Sequence, residues 1–184
     1  KRPQDIKFNS DGSKVLVLST QSIDGNKDSI AIWSLGAPYD ITTISSTKDS
    51  EHFDKIDNDP RGFDFNTDGT KMFIVLATTD QIQQFDLTKP YDPSDITTPK
   101  ATLSNLKGDG YHQGLGFSSD GYKMFVIKAD RDTDDSELNI IEEYDLTTPF
   151  EITTANKNEK TYNTQTASEG NMRIAGITFN FGQG

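Results

Sequence analysis

One phrase recurs along this 184-residue chain. It reads FNSDGSK from Phe8, FNTDGTK from Phe65 and FSSDGYK from Phe117, and a further anchor Phe stands at Phe179. Successive anchors are 57, 52 and 62 residues apart. A second block follows each time: IAIWSLGAPYDITT (30–43), IQQFDLTKPYDPSDITT (82–98) and IIEEYDLTTPFEITT (140–154). Self-similarity at such a period constrains the fold more than any other feature, because each unit must be one supersecondary block that buries its apolar face against its neighbours.

Each part of the unit has a physical reading. In GFDFN (62–66), Phe63 and Phe65 alternate with Asp64, the pattern of a half-buried strand. Asp68-Gly69 predicts a tight turn, since Asp bonds its own backbone and Gly tolerates positive φ. KMFIVLAT (71–78) predicts a strand covered on both faces, and QIQQFDL (81–87) alternates again. Pro90 then breaks the ladder, Tyr91 packs the corner, and a weaker fourth strand runs around Ala101 to Leu106. Four antiparallel strands in about 50 residues describe a β-propeller blade. The expected fold is therefore all-β, with three four-stranded antiparallel units and the first strand of a fourth. It forms a single domain over 1–184, with blades at about 3–59, 60–112 and 113–173 and a partial fourth at 174–184. Since propellers close with four to eight blades, the count predicts part of a larger propeller or an oligomeric one, joined by pairing of edge strands.

The turn block resembles the F-S-P-D-G-x-x-L-Y-V repeat of YVTN-type and lactonase-like propellers. Its longer form, with Y-D-L-x-x-P-Y-D-I-T-T, is similar to repeats in uncharacterised bacterial surface and phage structural proteins. This chain lacks the Pro that usually precedes Asp-Gly in the lactonase-like repeat. It also resembles the sialidase Asp-box, but its Asp and Gly are adjacent.

Net charge is -11 with a pI near 4.5, which repels phosphate backbones and anionic membrane surfaces. No apolar run approaches the roughly 20 residues that span a bilayer. With no cysteine, disulfides, thiolate metal sites and cysteine nucleophiles are excluded. Acidity and richness in Thr, Asn, Asp and Gly point to an extracellular, cell-surface or virion-surface protein.

In such a blade the Asp-Gly and P-Y-D-I-T-T turns share one end, and the irregular loops and blade connectors share the other. Regular turns read as scaffold and the irregular rim as the binding face. On that rim Asp130, Asp132, Asp134 and Glu137 offer hard oxygens in the manner of a calcium loop, and Asp24, Asn26 and Asp28 offer a weaker version. The plainer reading of these carboxylates is a solvated acidic hairpin tip. Asp57, Asp59, Asp109, Tyr111 and His112 complete the candidate rim. Gly62, Gly114 and Gly176 recur three residues before the anchor Phe and suit a crowded inner strand, while Trp33, Phe85 and Tyr144 share a core position. No catalytic triad or phosphate cradle is legible, so no catalytic residue or resident cofactor is assigned. The sequence thus predicts a non-enzymatic binding or structural module of a bacterial surface or phage virion protein, contacting a glycan or protein through its rim. One alternative is a lactonase-like or glycoside-processing enzyme with metal or carboxylates in the channel, for which Asp57, Asp59, Asp109 and His112 are nearest. The other is an architectural repeat in a filament.

Overall fold

The computed structural model describes residues 2–20, 28–53, 59–104, 106, 111–129, 139–164 and 176–177. Its strands form three separate four-stranded antiparallel sheets, each in simple up-and-down order. Blade 1 holds β1 (Arg2–Phe8), β2 (Lys14–Thr20), β3 (Ser29–Ser34) and β4 (Ser50–Phe53). Blade 2 holds β5 (Pro60–Phe65), β6 (Lys71–Leu76), β7 (Gln81–Asp86) and β8 (Ala101–Leu103). Blade 3 holds β9 (Tyr111–Phe117), β10 (Lys123–Ala129), β11 (Ile140–Leu146) and β12 (Ala155–Asn163). The all-β propeller architecture is therefore as the repeat predicts. The only helical elements among the described residues are single 3-10 turns, three of them at Ile41–Thr43, Pro93–Asp95 and Ile152–Thr154.

The repeated phrase builds one corner three times. Asn66 Oδ1 accepts from the Lys71 amide at 2.8 Å, and Asp68 Oδ1 accepts from the Thr70 amide at 3.0 Å, so the first hairpin closes on side-chain oxygens. Gly69 has φ +73°, and the Tyr91 ring lies across it where a Cβ would fall 2.3 Å from ring carbons. The Tyr91 amide bonds the Gly69 carbonyl, its hydroxyl donates to the Thr67 carbonyl, and its ring packs on anchor Phe65 at 5.0 Å. Tyr39 on Phe8 and Phe150 on Phe117 repeat the arrangement at 5.5 and 5.4 Å. The recurrent Asp is thus turn chemistry: the Thr70 hydroxyl and amide hold Asp68 below the usual carboxylate range.

Between blades lie two apolar cores. Leu16, Leu18 and Ile30 of blade 1 pack with Phe63, Met72 and Phe85 of blade 2. Phe73, Val75 and Ile82 of blade 2 pack with Leu115, Met124 and Tyr144 of blade 3. Phe85 and Tyr144 are core, as their shared repeat position predicts, whereas Trp33 is half-buried. The close approach expected at the recurrent glycine is seen at Gly62, where a Cβ would lie 2.8 Å from Gly114 Cα and 2.9 Å from the Gln113 carbonyl oxygen. The first strands of neighbouring blades meet there. Among the described residues, nothing lies within 4 Å of the same point at Gly176.

Candidate functional site on the inner strands

Along each first strand, side chains alternate between the two faces of the blade. Phe63 and Phe65 point into the core. The opposite set holds Asp5 and Lys7 on β1, Gly62 and Asp64 on β5, and Gly114 and Gly116 on β9. Asp5 stands three residues before anchor Phe8, the position at which blades 2 and 3 carry glycine. Its carboxylate fills the space: Oδ1 accepts from the Ile6 amide at 2.8 Å and Oδ2 from the Phe63 amide of blade 2 at 3.1 Å. Two residues beyond Gly62, Asp64 Oδ1 lies 3.6 Å from Lys7 Nζ across the same junction.

These three side chains border a cavity of about 730 Å³. Thr67, Ser118 and Ser119 add polar atoms from the Asp-Gly turns, and Phe8, Phe65 and Phe117 supply apolar wall. Burial pushes the Asp5 carboxyl above its ordinary value, against the opposing pull of Lys7 and the two backbone amides. Burial likewise raises Asp64, with Lys7 opposing and the Asp5 charge adding to the rise. A carboxylate made more basic by desolvation, an ammonium beside it and a partly apolar cavity are the components of general-base chemistry on an uncharged electrophile.

The cavity lies at the Asp-Gly end of the inner strands, whereas the described rim residues lie at the other end. There Asp59 Oδ2 accepts from Arg61 Nε at 3.0 Å, and the Arg61 guanidinium sits 5.9 Å from the Tyr111 ring centroid. Asp59 and Tyr111 are therefore brought together through Arg61. His112, expected in an exposed connector, instead lies within β9 and is wholly buried. Its Nδ1 is 3.2 Å from Asp80 Oδ1, and burial lowers its pKa despite that carboxylate. Asp57, Asp109, Asp24, Asn26, Asp130, Asp132, Asp134 and Glu137 lie outside the described residues, while Asp28 immediately precedes β3. Among the described residues no group of three or more His, Asp or Glu could hold a metal ion. No described helix is long and apolar enough to cross a membrane.

Sequence reasoning missed Asp5, Lys7 and Asp64. The available signal was the break in the glycine repeat at Asp5, which shows only when blade 1 is aligned on its anchor Phe.

No protein-family model matches the chain, and no curated protein matches it. Solved structures share its fold. A Bacteroides fragilis protein named "putative 6-phosphogluconolactonase" superposes with TM-score 0.57 at 12% identity, over 88% of this chain and 42% of that one. A periplasmic gluconolactonase of Pseudomonas aeruginosa gives 0.53 at 12%, over 94% and 40%. A Lactobacillus plantarum protein gives 0.55 at 13%, over 94% and 41%. This chain spans about two-fifths of the length of those structures. The expectation of a non-enzymatic module is corrected here, because proteins named as lactonases are among those that share the architecture. The chain has the β-propeller fold of lactonase-like structures.

Proposed function

We propose that the inner-strand cavity is the reaction site of a lactone-opening hydrolase. The observation that carries this reading is the placement of Asp5, Lys7 and Asp64 together on one cavity wall, at strand positions where blade 3 carries only glycine. Likeness in fold to two proteins named as lactonases supports the choice of substrate class.

The chemistry follows from the charges. Asp64 takes a proton from a water molecule as its oxygen attacks the lactone carbonyl carbon. Lys7 holds the oxyanion that forms, an electrostatic contribution that grows in a water-poor site. Collapse of that intermediate breaks the ring C–O bond, and the proton on Asp64 passes to the departing alkoxide, leaving the open hydroxy acid. Asp5 is a positioning residue: it ties β1 to the Phe63 amide and keeps Asp64 basic through its charge. The Phe-lined wall and the Thr67 and Ser118 hydroxyls suit a ring bearing hydroxyl groups. A location outside the cytoplasm is part of the same proposal, supported by the periplasmic origin of one fold relative.

The test is the rate of glucono-δ-lactone hydrolysis above the buffer rate for the wild-type protein and for Asp64→Asn. The variant is expected to lose about 100-fold or more while melting at no lower a temperature. A wild-type rate equal to buffer, or an Asp64→Asn protein as fast as wild type, overturns the assignment.

A further inference from the structure

Blade 3 departs from the repeat at three positions that line the cavity. One residue before the anchor Phe, blades 1 and 2 carry Lys7 and Asp64, and blade 3 carries Gly116. One residue after the anchor, they carry Asn9 and Asn66, and blade 3 carries Ser118. At the corner they carry Tyr39 and Tyr91, and blade 3 carries Phe150. Each change removes polar atoms or shortens the side chain that bears them.

The scaffold does not require these changes. Asn9 and Asn66 each accept from the next lysine amide at 2.8 Å, and Ser118 Oγ does the same for Lys123 at 3.0 Å. The Ser118 hydroxyl then donates to Asp120 Oδ1 at 2.6 Å. The Tyr39 and Tyr91 hydroxyls donate to the Ser10 and Thr67 carbonyls at 2.8 and 3.1 Å. Phe150 has no hydroxyl, and the corresponding carbonyl, that of Ser119, accepts instead from Thr67 Oγ1 of blade 2 at 3.1 Å. The Ser118 hydroxyl and the Ser119 carbonyl are thus satisfied within the protein. Half-buried Phe150 and its neighbour Phe117, with ring centroids 5.4 Å apart, give this wall its apolar surface.

The recess adjoins the carboxylate. Strands β5 and β9 run side by side, since Gly62 closes on Gly114. Lys7 flanks Asp64 from β1, and Gly116, at the matching position of β9, leaves the other flank open. A methyl group placed there gains burial. A hydroxyl placed there gives up water and meets aromatic carbon.

We propose that this recess between blades 2 and 3 selects a deoxy sugar lactone, whose exocyclic carbon is a methyl rather than a hydroxymethyl group, with Phe150 as the specificity-determining residue. The ring hydroxyls lie toward Thr67, whose oxygen donates to Ser119 and keeps its lone pairs for them. This inference rests on the lactone-opening reading of the cavity.

The test compares kcat/KM for 6-deoxyglucono-δ-lactone and glucono-δ-lactone, which differ by one oxygen atom. Wild type is expected to favour the deoxy compound about tenfold. Phe150→Tyr with Ser118→Asn gives blade 3 the residues of its neighbours, so it should melt no lower than wild type while losing most of that preference. If the pair melts lower, Phe150→Tyr alone, which adds a single oxygen, gives the same reading. Equal rates on the two lactones in wild type, or a faster rate on the hydroxymethyl compound, overturn the inference and leave the reaction standing. A preference that Phe150→Tyr keeps in full overturns it as well. Opening of neither lactone overturns the reaction itself, and the inference with it.

Discussion

Blades 1 and 2 differ at one repeat position in a way that separates packing from chemistry. On β5 that position is Gly62, and β9 lies so close that a single methyl group would meet backbone atoms. On β1 it is Asp5, whose carboxylate occupies the junction and takes an amide of β5. The same strand-to-strand junction is closed by backbone contact in one case and by a charged side chain in the other. Only the second leaves a cavity edge with functional groups, so the departure from the repeat, rather than the repeat, marks the site.

Substitutions can break this comparison. The largest effect on stability is expected from Gly62→Ala, because the obstructing atoms are backbone and cannot swing away. A loss of about 3 kcal/mol is expected from such overpacking, read as a lower urea midpoint at unchanged slope. Next comes Gly69→Ala at about 2 kcal/mol, combining positive φ with displacement of the Tyr91 ring. If Gly69→Ala proved the more harmful, the corner and not the inner junction would hold the blades together.

A smaller effect sharpens the contrast between structural and functional carboxylates. Glu151 of blade 3 accepts from Lys71, Gln84 and Lys100 of blade 2, and these partners outweigh burial to hold its pKa down to about 2. A depressed carboxyl stabilises the fold above its unfolded pKa, and that contribution is lost as pH falls through the folded one. Glu151→Gln is therefore expected to cost about 1 kcal/mol at neutral pH. The difference from wild type should shrink between the ordinary carboxylate pKa and about 2. Asp5 and Asp64 have the opposite sign, since raised folded values mean that their ionised forms oppose folding at neutral pH.

That sign difference also explains what the sequence could and could not reveal. The anchor Phe, the Asp-Gly turn and the Tyr91 corner are local chemistry repeated in register, so strands and turns were readable directly, while the expected partial fourth blade at 174–184 lies almost wholly outside the described residues. Asp64 and Lys7 were not readable as a site, because alternation marks the polar face of a strand without saying whether it meets solvent or a cavity. Asp5 precedes any complete copy of the phrase, and its pairing with Phe63 spans 58 positions of chain. His112 misled for the reverse reason: a polar residue beside a connector reads as exposed, yet the bulged β9 carries it into the blade.

The smallest expected change in stability belongs to the most direct measurement, Asp5→Gly, which gives blade 1 the glycine of its neighbours. Lactone hydrolysis and melting temperature would be followed on one preparation. The account expects a melting temperature close to wild type, since removal of a desolvated charge offsets the loss of the acceptor for the Phe63 amide, together with slower hydrolysis as Lys7 and Asp64 lose the tie that positions β1 against β5. A protein that melts well below wild type yet hydrolyses at the full rate would contradict it, making Asp5 part of the scaffold and leaving the cavity without its chemistry.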